Sequence, residues 1–146
     1  NSKDSINREK QKIILMSPSG KTYNQKNAEE LTATEQVTLI CGRYEGIDSR
    51  VEENLVTDII SIGDFVVSGG EIPALAVMES AVRLLPGVLE KEDASKIESF
   101  SDGYLEYPQY TRPENFNGIK VPEVLLSGNH EKIHEWRERH KRKIQP

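Results

Sequence analysis

Three short stretches of this chain combine glycine with small or charged residues in a way suited to gripping a ligand through the main chain. They are Ser17-Pro18-Ser19-Gly20, Gly42-Arg43-Tyr44-Glu45-Gly46, and Gly63 with Ser68-Gly69-Gly70. Glycine permits positive φ and lets a ligand approach the backbone closely. The same residues also fit ordinary turns at strand ends, and glycine alone does not choose between the two. A fourth stretch, Tyr104-Leu105-Glu106-Tyr107-Pro108-Gln109-Tyr110-Thr111-Arg112-Pro113, interleaves aromatics with proline and arginine. Aromatics beside arginine can stack bases and hold phosphates. The competing reading is a proline-braced loop whose tyrosines pack on the domain. A fifth, Arg137 with Arg139, His140, Lys141, Arg142 and Lys143, is a basic cluster that binds phosphate or is simply solvated.

Other chemistry is poorly represented. Cys41 is the single cysteine and sits at the end of an apolar run, where a small buried hydrophobe is expected rather than a nucleophile. His130, His134 and His140 do not combine with it into a zinc spacing, and no residue is assigned to a metal. The chain lacks the Gly-x-x-x-x-Gly-Lys-Ser/Thr pattern of a P-loop nucleotide hydrolase.

Each glycine stretch follows an apolar run that reads as a strand: Lys12–Met16, Val37–Cys41 and Ile59–Ile62, with a further strand expected over Phe65–Val67. Helical stretches fall between them at Asn24–Leu31 and Ser49–Asn54. Pro73 suits the first turn of a helix. Ala74–Leu85 reads as that helix, with Leu75, Met78, Val82 and Leu85 on one face. Alternating strands and helices predict an α/β domain with a mainly parallel sheet, and the Val37–Cys41 strand is expected to be buried on both faces. Ligands in such sheets sit beyond the carboxyl ends of the strands, so the three glycine loops are expected to meet at one pocket.

Residues 1–12 read as a flexible or weakly helical lead-in. Pro86-Gly87 closes the long helix, and Glu90–Ile97 is a charged linker. Ser127-Gly128-Asn129-His130 opens a last helix with Ile133 and Trp136 on one face. The 146 residues suffice for one domain with a modest core and a small appendage. A net charge of −5 argues against indiscriminate nucleic-acid binding but leaves room for a local basic patch. Neither a signal-peptide pattern nor a bilayer-length apolar run is present, and a cytoplasmic location is expected.

Four motifs carry a resemblance. Leu39–Asp48, Ser61–Glu71, Tyr107–Pro113 and Val124–His130, in this order, are similar to the signatures of the bacterial tRNA (guanine-N1)-methyltransferases, the TrmD family. The likeness runs from about Ile13 to Arg137. It implies the SPOUT fold, an α/β domain with a mainly parallel sheet and a deep trefoil knot, followed by a small helical domain. It implies a homodimer with its active site at the subunit interface. The implied reaction moves a methyl group from S-adenosylmethionine to N1 of the guanosine immediately 3′ to the tRNA anticodon. Family members begin with a further strand–helix–strand segment, so Asn1 falls inside the family's first domain and the chain is expected to be N-terminally truncated. On this reading 1–89 is a partial cofactor domain, 90–103 a linker, and 104–146 an RNA-binding helical domain. The alternative of another class is a SPOUT domain that binds the cofactor or dimerises without turnover.

The resemblance also distributes roles. Backbone groups of Leu15, Met16, Ser17 and Pro18, of Gly42, Tyr44 and Glu45, and of Ile62, Gly63, Phe65, Val67, Gly69 and Gly70 would hold S-adenosylmethionine. Ile62, Phe65 and Val67 would form apolar walls, and the Glu45 carboxylate would lie near the ribose or the methionine end. Guanine N1 carries a proton at neutral pH, so methylation needs a base, and charge then grows on O6. The family's cation falls on Arg83. Its base, an aspartate before a Ser-Phe pair, falls on Glu98, with Asp102 as the alternative. Tyr110, Arg112, His130 and Arg137 would contact the anticodon stem-loop. A divalent ion such as Mg2+ is compatible with this chemistry, without a residue pattern that assigns it.

Overall fold

The computed structural model describes residues 10–89, 98–100 and 103–144. The chain divides into two compact units, Asn1–Glu92 and Asp93–Pro146.

The first unit is built on three parallel strands in the order β2-β1-β3: β1 is Gln11–Thr22, β2 Gln36–Cys41 and β3 Asp58–Ser61. Helices α1 (Gln25–Thr32), α2 (Ser49–Asn54) and α3 (Glu71–Val82) alternate with them. Local chemistry starts the first two helices. Asn24 and Asn27 exchange side-chain-to-backbone hydrogen bonds in a capping box at α1, and the Asp48 carboxylate accepts from the Arg50 N–H at α2. The central strand β1 carries the buried run Ile14-Leu15-Met16. These residues, with Ala28 of α1 and Ala74 and Val77 of α3, are the buried apolar core. The small residues Ala28 and Ala74 suit close approach of the two helices, and the Tyr23 hydroxyl meets Ser80 Oγ at 2.8 Å, tying the end of β1 to α3.

The structure departs from the sequence expectations in four places. The first strand does not end at Met16. Ser17–Gly20 leaves the ladder as a single excursion, after which Lys21 returns to the same partner, Ile60, that Met16 already faces. Gly20 is obligatory there: a Cβ would lie 2.5 Å from the backbone of Ile59 and Ile60. Second, Phe65–Val67 is not a strand. The Ser61 hydroxyl and Gly63, at φ +145°, turn the chain after β3, and the three residues project into solvent. Third, the apolar face that the spacing groups on α3 is not the one that packs on the sheet. Pro73, Ala74 and Val77 are buried, whereas Leu75, Met78, Val82 and Leu85 are exposed. The helix is apolar on more than one side, so periodicity alone could not select the buried face. Fourth, among the described residues β2 pairs with β1 alone and lies at the sheet edge. Much of it is exposed, Cys41 included, contrary to a strand buried on both faces.

The second unit has short elements: β4 (Tyr104–Leu105) paired with β7 (Arg142–Lys143), the hairpin of β5 (Asn115–Phe116) and β6 (Ile119–Lys120), and helices α4 (Glu123–Leu126) and α5 (His130–His140). The hairpin turns through Asn117 and Gly118, both at positive φ, the pairing that two-residue hairpins favour. Asn129 caps α5 by accepting from the Lys132 N–H.

Candidate functional site

Three connections leave the same end of the sheet in the first unit: the excursion after Met16, the loop after β2, and the long turn between β3 and α3. Together they line a cleft of about 360 Å³, within the range of sites that hold small molecules. Leu15, Met16, Ser17 and Pro18 form one side. Gly42, Tyr44 and Glu45 form the second, and Ile62, Gly63, Phe65, Val67, Gly69 and Gly70 form the third. All thirteen residues that the resemblance had assigned to a cofactor thus border one cavity.

The glycines serve a purpose that motif reading did not supply. They were expected to make room for a ligand, yet at two of them the crowding comes from the protein. A Cβ on Gly70 would stand 2.7 Å from Cys41 Cα, and one on Gly69 would meet the Glu71 carboxylate and Arg43 Cγ. The loop after β2 and the turn before α3 lie against each other there. Gly70 N donates to Gly42 O at 2.9 Å, and Arg43 and Gly69 form an antiparallel bridge. Tyr44 takes a left-handed φ of 60° at the rim and is 99% exposed.

The cleft also contains residues outside the three assigned loop stretches, Ile47, Glu52 and Pro73, and within them Arg43, whose side chain has no role in the motif reading. Arg43 Nε donates to Glu71 Oε1 at 2.6 Å. That hydrogen bond, and then the backbone N–H of Glu71 itself, hold the Glu71 carboxyl below the usual glutamate range. The two residues are 28 positions apart, so only their shared position beside glycine in two motifs hinted at a link. The Cys41 thiol is pushed up, first by desolvation and then by the Glu71 carboxylate. It is therefore protonated at neutral pH and a poor nucleophile.

The residues expected to act on the base lie apart along the chain. Arg83 is the C-cap of α3 in the first unit, with its N–H donating to Glu79 O. Glu98 lies in a turn of the second unit and is partly buried. Asp102, the alternative base, and most of the 90–103 linker lie outside the described residues.

In the second unit the aromatic-basic stretch packs against α5. Tyr110 meets Trp136 edge-on at 6.2 Å, Trp136 stacks on His140 at 3.9 Å, and Arg137 lies over the Tyr107 ring at 4.9 Å. The packing reading of the tyrosines therefore holds for Tyr107 and Tyr110. The basic cluster is not a free tail: Arg139 pairs with Glu135, Lys141 with Glu138, and Arg142-Lys143 forms β7. Arg112 and His130 are exposed. Among the described residues, His, Cys, Asp and Glu nowhere cluster to hold a metal, and none of the helices is long and apolar enough to cross a membrane.

Comparison with known proteins assigns the family. Residues 1–145 match the family described as tRNA (Guanine-1)-methyltransferase TrmD. Among curated relatives, a Listeria monocytogenes protein named tRNA (guanine-N(1)-)-methyltransferase is 56% identical over 130 residues, 89% of this chain and 53% of its own. Proteins of the same name from Bacillus velezensis and Clostridioides difficile are 59% identical over 128 residues and 57% over 125, covering 88% and 86% of this chain. The chain spans about half the length of these relatives.

Proposed function

The chain belongs to the tRNA (guanine-1)-methyltransferase family TrmD, and on that footing we propose that its first unit binds S-adenosylmethionine for methylation of N1 of the guanosine 3′ to the anticodon in tRNA. The observation that carries this reading is the convergence of three glycine-bearing loops on one cleft of about 360 Å³. The lining suits the group. Main-chain N–H and C=O groups of small residues offer an adenine edge its hydrogen-bond partners, and Ile62, Phe65 and Val67 supply apolar contact. When bound, the sulfonium supplies an activated methyl that needs no acid to leave. The chain's own residues must then do two things. Glu98 takes the N1 proton as general base, with Asp102 as its alternative, and Arg83 stabilises the charge that grows on O6.

Further parts of the reading follow from family membership. The first unit is the core of a SPOUT fold whose connections form a trefoil knot, residues 90–103 are a linker, and 104–146 is an RNA-binding domain. Within it, Arg112 and His130 are the candidates to meet phosphate, and their exposure supports that role. Tyr110 and Arg137 contribute by holding the aromatic surface in shape. The protein acts as a homodimer in the bacterial cytoplasm, with Mg2+ as a candidate assisting ion. The exposed apolar stripe of α3 (Ile72, Leu75, Met78 and Val82) supports a partner on that face. A second reading, cofactor binding or dimerisation without turnover, has its motive in the length comparison, because activity belongs to proteins about twice as long.

Transfer of radiolabelled methyl from S-adenosylmethionine to an anticodon stem-loop tests both. Label appearing on guanosine N1 supports the first reading. Calorimetric binding without label transfer supports the second, and absence of both signals would overturn the first reading and the cofactor-binding form of the second.

A further inference from the structure

The two loops that face each other across the mouth of the cleft are joined at three levels. A backbone hydrogen bond runs from Gly70 to Gly42, a bridge joins Arg43 to Gly69, and an ion pair links Arg43 to Glu71. The third differs in kind, because it is made by side chains that are about half in solvent, 61% and 46% exposed. Such a pair contributes little to global stability, yet this one occupies the space that a side chain on residue 69 would need. Glu71 lies in the first turn of α3, where a carboxylate is favoured by the helix dipole. It is thus the fixed post, while Arg43 belongs to a loop that leaves the edge strand β2. Gly42, next to Arg43, and Gly69 and Gly70, next to Glu71, border the cleft.

We propose that Arg43 and Glu71 are a positioning pair, a side-chain latch that sets the gap between the loop after β2 and the turn before α3 and thereby the grip on the adenosyl ligand. The proposal rests on the functional reading above for the identity of the ligand. The latch itself rests on the geometry of the two loops. Neither residue need touch the ligand for the effect to appear.

The test is a double-mutant cycle on the full 146-residue chain, with S-adenosylhomocysteine as the probe. Arg43→Met and Glu71→Gln are each expected to weaken calorimetric binding about fivefold, the upper end of what an exposed ion pair supplies. The double variant is expected to be no weaker than either single one. Arg43→Lys, which retains the charge, should recover most of the affinity. Amide exchange at Gly69 and Gly70 in the unliganded variants should be faster than in the parent chain, with the thermal midpoint nearly unchanged. Loss of affinity in Arg43→Met alone would overturn the latch in favour of a direct contact to ligand, and additive losses would overturn it as two unrelated effects. If the parent chain binds no adenosyl ligand, the functional reading fails. Unchanged exchange at Gly69 and Gly70 in the single variants would then reject the latch on its own.

Discussion

The two units hold themselves together by different means. In the first, Ile14, Leu15, Met16, Ala28, Ala74 and Val77 are removed from water, and the cleft loops grow from that core. In the second, none of the described side chains is fully buried. Ring contacts at Trp136, the Arg137–Tyr107 contact, capping hydrogen bonds and two-residue strand pairs organise it instead. Apolar burial carries more free energy per side chain than exposed polar or ring contacts. The lesson is that the unit proposed to hold the cofactor is the well-packed one, whereas the unit proposed to meet RNA presents its charges and rings on a thinly supported surface.

Four changes would break or sharpen that contrast. The largest effect is expected from Glu98→Gln, which tests whether chemistry depends on a residue of the second unit while binding stays in the first. Methyl transfer should fall by on the order of a hundredfold or more, with cofactor affinity unchanged by calorimetry; full turnover would move the base to Asp102. Next comes Ile14→Ala. The side chain is 1% exposed, and its truncation should cost the first unit about 3 kcal/mol in denaturant unfolding. A loss below ~1 kcal/mol would show that the core is less tightly packed than its burial indicates. Trp136→Ala should cost the second unit about 1–2 kcal/mol through lost ring contacts and leave cofactor binding alone, as read by NMR shifts of Tyr110 and His140. An equal loss of affinity for the cofactor would dissolve the contrast between units.

The smallest effect concerns acid. Burial raises the Asp58 carboxyl, but hydrogen bonds from Lys12 and Thr57, with the Lys12 and Lys21 charges, outweigh it, so its pKa lies below the ordinary aspartate value. A depressed folded-state pKa stabilises the first unit above the unfolded value of about 3.9 and loses that contribution as pH falls through the folded value. Asp58→Asn should therefore lower stability slightly at neutral pH and flatten its decline in acid. An unchanged acid profile would show that Asp58 contributes nothing to it.

Much of this was legible in residues alone. The buried run at Ile14–Met16, the Asn24 start of α1 and the glycine punctuation after β2 and β3 follow from local preference and short spacing, and the family signature follows from residue order. What sequence reading could not supply concerned competition between equals. Leu75, Met78 and Val82 are as apolar as Ala74 and Val77, and only the approach of α1 and the sheet decides which side of α3 is dry. Phe65–Val67 has strand composition but no strand to pair with among the described residues.

By itself, then, the sequence determined the alternation of elements, the places where the chain must turn, and the kinship with tRNA (guanine-1)-methyltransferases, because each is written in contiguous residues. The shared cleft of the three glycine loops was expected from the parallel strand order and is observed, whereas tertiary structure alone decided that Gly69 and Gly70 are small to let two loops meet and that Arg43 reaches Glu71. Those facts depend on distances between residues far apart in the chain, and such distances are set by how β1 and α3 pack rather than by any local preference.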